Sequence, residues 1–390
     1  MLKKLIFIIY IAVLIVMGTA TFVENSHTTD YAHEHIYGAW WFVALWGALA
    51  LCGLVYYAIY LKKTGIKKLL SLHSFAQACL HLSFLLILGG ALQTYLNGFN
   101  GIIHLRYNQP QDVMLVHERG KYFEKKLPFT VELNDFEMKK GNEGKVIDYV
   151  TKFTIYRGDK KEQCLVSMNN IYKYHKYRFY QSSYDDDLRG SVLSINHDYY
   201  GILITYCGYF LLFLSFLLLA WRNLRLSVPV IALTLLWCLY YFVLDGSWKD
   251  VPVLRHPLLA VHVGIIMTAY ALLLVMAIKS AYWLIKKQPA EKRHAPDNKE
   301  LIAALGFLSA GIFIGAIWAN VSWGNYWSWD SKETWALITL LLYAVPAHRR
   351  SLPVFNNAKV YHAYILLSFL SILMTYFGVN YFLTGMHSYA

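Results

Sequence analysis

At 390 residues, 57% hydrophobic and 16% aromatic, with long unbroken apolar runs, the chain has the composition of an integral membrane protein and not of a soluble globule. Its formal charge of +12 does not indicate nucleic acid, because the basic residues flank apolar runs instead of forming a patch. The five cysteines (Cys52, Cys79, Cys164, Cys207 and Cys238) form no CxxC, which excludes a disulfide framework, a thiol-redox motif and the CxxCH of a c-type cytochrome.

Nine apolar runs are long enough to be read as spans of about 30 Å of hydrocarbon: residues 4–22, 38–61, 74–97, 199–221, 227–244, 258–285, 300–319, 333–347 and 360–384. The first follows Lys3 and Lys4. It lacks a small-x-small cleavage site around Thr21 to Glu24, so it reads as a retained helix. With the N-terminus inside, the inner segments carry sixteen lysines and arginines and the short outer loops only Lys249, Arg255 and Lys332. That bias sets the orientation as N-in, C-out. The long segment 98–197 then lies outside. Phe129 to Phe136, Val150 to Tyr156 and Tyr177 to Tyr180 alternate apolar and polar residues between turn-forming stretches, which predicts antiparallel strands. Residues 286–300 read as a flexible inner linker.

The expected fold is an all-α polytopic membrane protein of about nine transmembrane helices with a small extracytoplasmic β domain. Residues 1–97 form three helices, 98–197 the β domain and 198–226 a fourth helix. Residues 227–390 form a helical domain with its motif at 323–335.

That motif, Trp323-Gly-Asn-Tyr-Trp-Ser-Trp-Asp-Ser-Lys-Glu-Thr-Trp335, concentrates tryptophans. With Trp318, five of the twelve in the chain fall within eighteen residues. An interfacial aromatic belt needs one or two rings per helix end, so this density suggests a platform for a flat apolar ligand. Asp330 and Glu333, ahead of an apolar helix, read as an N-cap and a capping-box acid.

Of fifteen histidines, four sort by depth into two pairs. His81 and His348 lie near the inner ends of their spans, and His262 and His387 near the outer side. Ionisable groups in spans default to functional hypotheses, and neutral imidazole is a common axial ligand for haem iron. A hydrogen-bonded interfacial or core ring is the plain alternative for each. His73 and His256 compete with His81 and His262. His27, His33 and His35 read as surface residues or weak metal contacts.

The pattern WGxxWxWDxKETW, present at 323–335, resembles the signature of the CcsA/ResC family, the tryptophan-rich (WWD) haem-handling proteins of System II cytochrome c maturation. Leu254 to Val263, Tyr343 to Arg349 and Tyr376 to Tyr389 resemble the family segments that carry His262, His348 and His387. The front of the chain resembles the partner family CcsB/ResB through His81 to Ala91, Leu127-Pro-Phe129, Asn134 to Phe136 and Arg178 to Tyr184. The whole thus resembles a compact CcsB(ResB)–CcsA fusion.

The resemblance implies a cytochrome c haem lyase or synthase in the bacterial inner membrane. Haem b is its substrate, moved to the outer face and joined to the CxxCH of an apocytochrome c. It implies His81 and His348 as iron ligands at a membrane site and His262 and His387 at an outer site. Trp323, Gly324, Trp327, Trp329, Asp330 and Lys332 would lie against the haem. No side chain is assigned as a nucleophile. Apocytochrome c, thiol-reducing proteins and a separate ResB-like subunit are the implied partners. Two rival readings are a non-catalytic haem exporter or chaperone and a b-type electron carrier. The position of His387 beyond the last span argues against the carrier.

Overall fold

The computed structural model describes residues 1–65, 67, 71–118, 121–141, 144–220, 232, 236, 256–286 and 298–383. Seven helices among them are long and apolar enough to cross a membrane. They are α1 (Leu2–Ser26), α3 (Trp40–Thr64), α4 (Leu72–Asn97), α5 (Tyr199–Ala220), α6 (Pro257–Ile285), α7 (Lys299–Trp323) and α9 (Ala358–Leu373). The last continues through a π turn into α10 (Val379–Phe382). A short α2 (Thr29–Ala32) and a π turn join α1 to α3. The eighth expected span is α8 (Ser331–Ala347), with 17 residues and Pro346 inside it. The expected span at 227–244, most of the 286–300 linker and His387 lie outside the described residues.

Local signals set the helix ends. Ser71 and Asn357 accept backbone N–H bonds at the starts of α4 and α9, and His256 does so ahead of Pro257 at the start of α6. The bundle core joins Tyr209 and Leu212 of α5, Leu273 of α6, Leu308 and Phe313 of α7, Tyr343 of α8 and Ile365 of α9. Large apolar side chains such as Phe210 and Leu367 point outward, as a hydrocarbon solvent requires.

The β domain is one antiparallel sheet of eight strands in the order β5-β4-β3-β2-β1-β8-β7-β6. The strands are β1 (Phe99–Arg106), β2 (Gln111–Glu118), β3 (Lys121–Lys140), β4 (Val146–Arg157), β5 (Lys160–Ser167), β6 (Tyr172–Tyr174), β7 (Tyr177–Tyr184) and β8 (Gly190–His197). The three predicted strand segments lie inside β3, β4 and β7. Strands β1 and β8 pair from Phe99↔His197 to Arg106↔Gly190, so the strand pair runs directly into the helix pair α4 and α5. The sheet curls until its two edges approach, where Tyr172 of β6 donates to Glu162 of β5. Inside the curl, Phe153, Phe179 and Ile195 are fully buried, each such side chain contributing about 1.5–3 kcal/mol.

Candidate functional site

Helix α7 ends at Trp323, and Gly324 turns the chain with φ +91. A Cβ at Gly324 would stand 2.8 Å from the Tyr180 ring of β7, so both the backbone and the neighbour require glycine. Trp329 also holds a left-handed backbone, φ +58. That conformation costs a non-glycine residue about 1–2 kcal/mol, and its surroundings hold it. Its ring stacks on Tyr37 at 4.9 Å with 7° between planes and meets Phe42 edge-on. Its carbonyl accepts from the Thr334 hydroxyl at 3.2 Å. Asp330, 2% exposed, caps α8 by accepting from the Lys332 N–H at 2.9 Å. Glu333 reaches further back than a capping box does and accepts from the N–H of Ser328 at 2.9 Å.

Two sets of elements clamp this segment. From the β domain, Asn196 donates to the Gly324 carbonyl at 3.2 Å and Arg178 donates to Asn320 at 2.7 Å. Tyr326, Thr94 of α4 and Asp198 form a relay, with 2.8 Å between the two hydroxyls and 2.6 Å from Thr94 to the carboxylate. Burial raises the pKa of Asp198, against the lowering effect of the Thr94 and Gly201 hydrogen bonds. From α1, the buried Glu24 accepts from Ser331 at 3.0 Å and Thr21 accepts from the Trp335 indole at 3.1 Å. Lys332 reaches Asn380 of α10 at 3.0 Å. Trp318 and Trp323 meet edge-on at 4.7 Å, as do Trp327 and Trp329 at 5.8 Å. Among the described residues, the buried indole N–H groups of Trp318 and Trp327 have no acceptor. A buried indole N–H normally finds one, so the segment suits a ligand that pairs flat apolar surface with acceptor oxygens.

At the other end of α8, about 25 Å away by helix rise, His348 follows the last helical residue. Its ring centre is 6.0 Å from that of His81 on α4, with the planes nearly perpendicular. Each Nδ1 bonds the carbonyl four residues earlier: His81 to Gln77 at 2.7 Å and His348 to Ala344 at 2.8 Å. A carbonyl can only accept, so each Nδ1 carries a proton, and in the neutral imidazole the lone pair is on Nε2. A metal–imidazole bond is about 2.0 Å, so two imidazoles on opposite sides of one iron have centres roughly 6 Å apart. The observed spacing fits that distance.

His262 lies in the second turn of α6, half-buried against α7. Its Nδ1 donates to the Gly311 carbonyl at 2.7 Å, and a Cβ at Gly315 would stand 2.6 Å from its ring. Gly311 and Gly315 form a G-x-x-x-G in an apolar run, a sequence signal for this contact because it lets helices approach closely. His256 spends its Nδ1 on the cap of α6. His73 lies in the first turn of α4, and it is His81 that meets His348. His362 is buried, bonded to Ser280 at 2.9 Å and stacked on Trp283. Thr21, Glu24 and Asn196 carried no local sequence signal, and Arg178 lay in a ResB-like stretch that did not reveal its bond to Asn320, since these roles depend on contacts far apart in the chain.

Residues 196–387 match the family described as Cytochrome C assembly protein, and residues 71–202 match the ResB-like family. The chain is similar to the protein NrfI of Wolinella succinogenes, 40% identical over 151 residues that cover 36% of this chain and 17% of that protein. It is also similar to the cytochrome c biogenesis protein CcsA of Chlamydomonas reinhardtii, 37% identical over 36% of this chain and 42% of that protein. With CcsA of Guillardia theta it shares 33% identity over 36% of this chain and 56% of that protein. The matched stretches thus span less than two thirds of each relative. The chain belongs to the CcsA-type cytochrome c assembly family and carries a ResB-like part on the same polypeptide, a CcsB–CcsA fusion.

Proposed function

We propose that the protein is a haem-attaching synthase of cytochrome c maturation, which takes haem b at His81 and His348 and presents it on the tryptophan segment to the CxxCH of an apocytochrome c. The observation that carries this reading is the meeting of His81, within the ResB-like match, and His348, within the cytochrome c assembly match, at 6.0 Å. An iron ligand set divided between the two parts gives the fusion a physical purpose.

In this reading the β domain and the tryptophan segment face the outer side of a bacterial inner membrane, with the N-terminus inside. His262 and His387 ligate the iron at the outer site, and Trp323, Trp327 and Trp329 contact the macrocycle. Gly324 keeps the loop turned under Tyr180, and Asp330 fixes the start of α8. Lys332 and the indole N–H groups of Trp318 and Trp327 offer partners to the propionates. Haem supplies the reactive vinyl groups, and the apocytochrome thiols add across them. The chain orients the two reactants, excludes water and supplies no nucleophile of its own. Bis-imidazole ligation restricts oxygen access and helps keep the iron ferrous.

The test is expression of the full chain with a CxxCH reporter, under reducing conditions, in cells lacking their own maturation system. Covalent haem on the reporter is expected. Haem that co-purifies with the chain but never reaches the reporter identifies a carrier instead, and a chain that binds no haem contradicts both.

A further inference from the structure

The β domain has a concavity at the border where the sheet meets the helices, lined by none of the residues of the tryptophan segment. This cleft of about 500 Å³ lies between the β6–β7 turn, the end of β8 and the first residue of α5. Its wall is aromatic. Phe129 meets Tyr177 edge-on at 5.0 Å, and Tyr177 lies 4.7 Å from His197. His197 in turn stacks on Phe99 at 4.7 Å.

The surroundings are cationic. Arg157 and Lys176 line the cleft. Lys125 stands 3.2 Å over the centre of the Phe99 ring, and Lys176 stands 4.6 Å over that of Tyr200. Arg157 donates to Nε2 of His175, a residue of the β6–β7 turn with φ +52, which ties the guanidinium to the turn. Among the described residues none of these three cations forms an ion pair.

The cleft also has a fixed depth. Phe99 follows the end of α4 at Asn97 by two residues, and Tyr199 opens α5, so the cations stand where two spans leave the hydrocarbon.

We propose that this cleft binds the phosphate headgroup of an anionic phospholipid from the leaflet on the β-domain side. These cations supply the phosphate contacts, and the aromatic wall accepts the glycerol and first methylenes. Headgroup depth brings such a lipid to the cleft without a soluble carrier. An ordinary aromatic belt with snorkelling lysines attracts anionic lipid without a countable site. This cleft holds one molecule.

The full chain, in bilayers of equal parts phosphatidylcholine and phosphatidylglycerol, is released into mild detergent and its retained lipid counted by native mass spectrometry. The expected result is one phosphatidylglycerol per chain, retained in preference to phosphatidylcholine. That preference falls about fivefold in Arg157→Gln and about 25-fold in the double variant with Lys176→Gln, at roughly fivefold per cation near an anionic surface. Lys176→Arg keeps the preference, which separates loss of charge from damage to the turn. Equal retention of the two lipids by the unaltered chain overturns the proposal, as does an unchanged preference in the double variant. Saturable binding of inorganic phosphate, lost in the double variant and unaccompanied by lipid preference, assigns the cleft to a soluble anion and also overturns it.

Discussion

The two ends of α8 are built on opposite plans. At its N-terminus the tryptophan segment is gripped by α1, α4, α10 and the β domain, and a residue with φ +58 is held in place by stacking. At its C-terminus His348 and His81 are exposed side chains whose hydrogen bonds, among the described residues, are to carbonyls of their own helices. A surface that must present a flat reactant in one orientation benefits from rigidity. A ligand pair that must accept and release its cargo benefits from rings oriented by one bond each and otherwise open.

This contrast can be broken at the clamped end first. Gly324→Ala forces a Cβ into the Tyr180 ring at an unfavourable φ, so a loss of about 2–4 kcal/mol is expected. It should appear as a lowered Tm and a sharp fall in reporter maturation, while haem retention at the histidine end persists. Glu24→Ala leaves the buried Ser331 hydroxyl without its acceptor and should destabilise by about 1.5–3 kcal/mol. Trp335→Phe removes the bond to Thr21 at a cost of about 1 kcal/mol, read by the same thermal unfolding. His348→Ala reverses the pattern, with a stability change within about 0.5 kcal/mol of zero and a large loss of bound haem. A strongly destabilised His348→Ala chain would remove the contrast.

The smallest effect is one of pH at the relay. Burial raises the pKa of Asp198 in the folded state, so its favourable contribution is present below the ordinary aspartate range and is lost as pH rises through the raised value. The stability of the unaltered chain relative to Asp198→Asn should therefore fall as pH rises from acid toward neutral. A relative stability that rises over that range would mean that the Thr94 and Gly201 hydrogen bonds outweigh burial.

Much of this arrangement can be read along the sequence, because the forces that specify it are local. Apolar runs of span length are self-sufficient signals, and alternation in Phe129 to Phe136 marks a strand without knowledge of its neighbours. The Asp330 cap was legible for the same reason. Strand β1 was hidden because Asn100-Gly101 reads as a turn, although it pairs with β8 along its whole length. The clamp was hidden because its partners are remote in sequence: Glu24 lies 307 residues from Ser331, and Asn196 lies 128 from Gly324. The sequence pairs His81 with His348 only as an expectation, and their 6.0 Å approach required the packed bundle.

The central claim is that His81 and His348 act as one ligand pair. The direct test is the haem content and reduced absorption spectrum of the purified full chain, its His81→Ala and His348→Ala variants and the double variant. Reporter maturation is followed in parallel. A shared iron predicts that each single substitution removes the same haem population and that the double variant loses no more than either single one. Single variants that keep the haem content and spectrum of the unaltered chain, or losses that simply add, would contradict it.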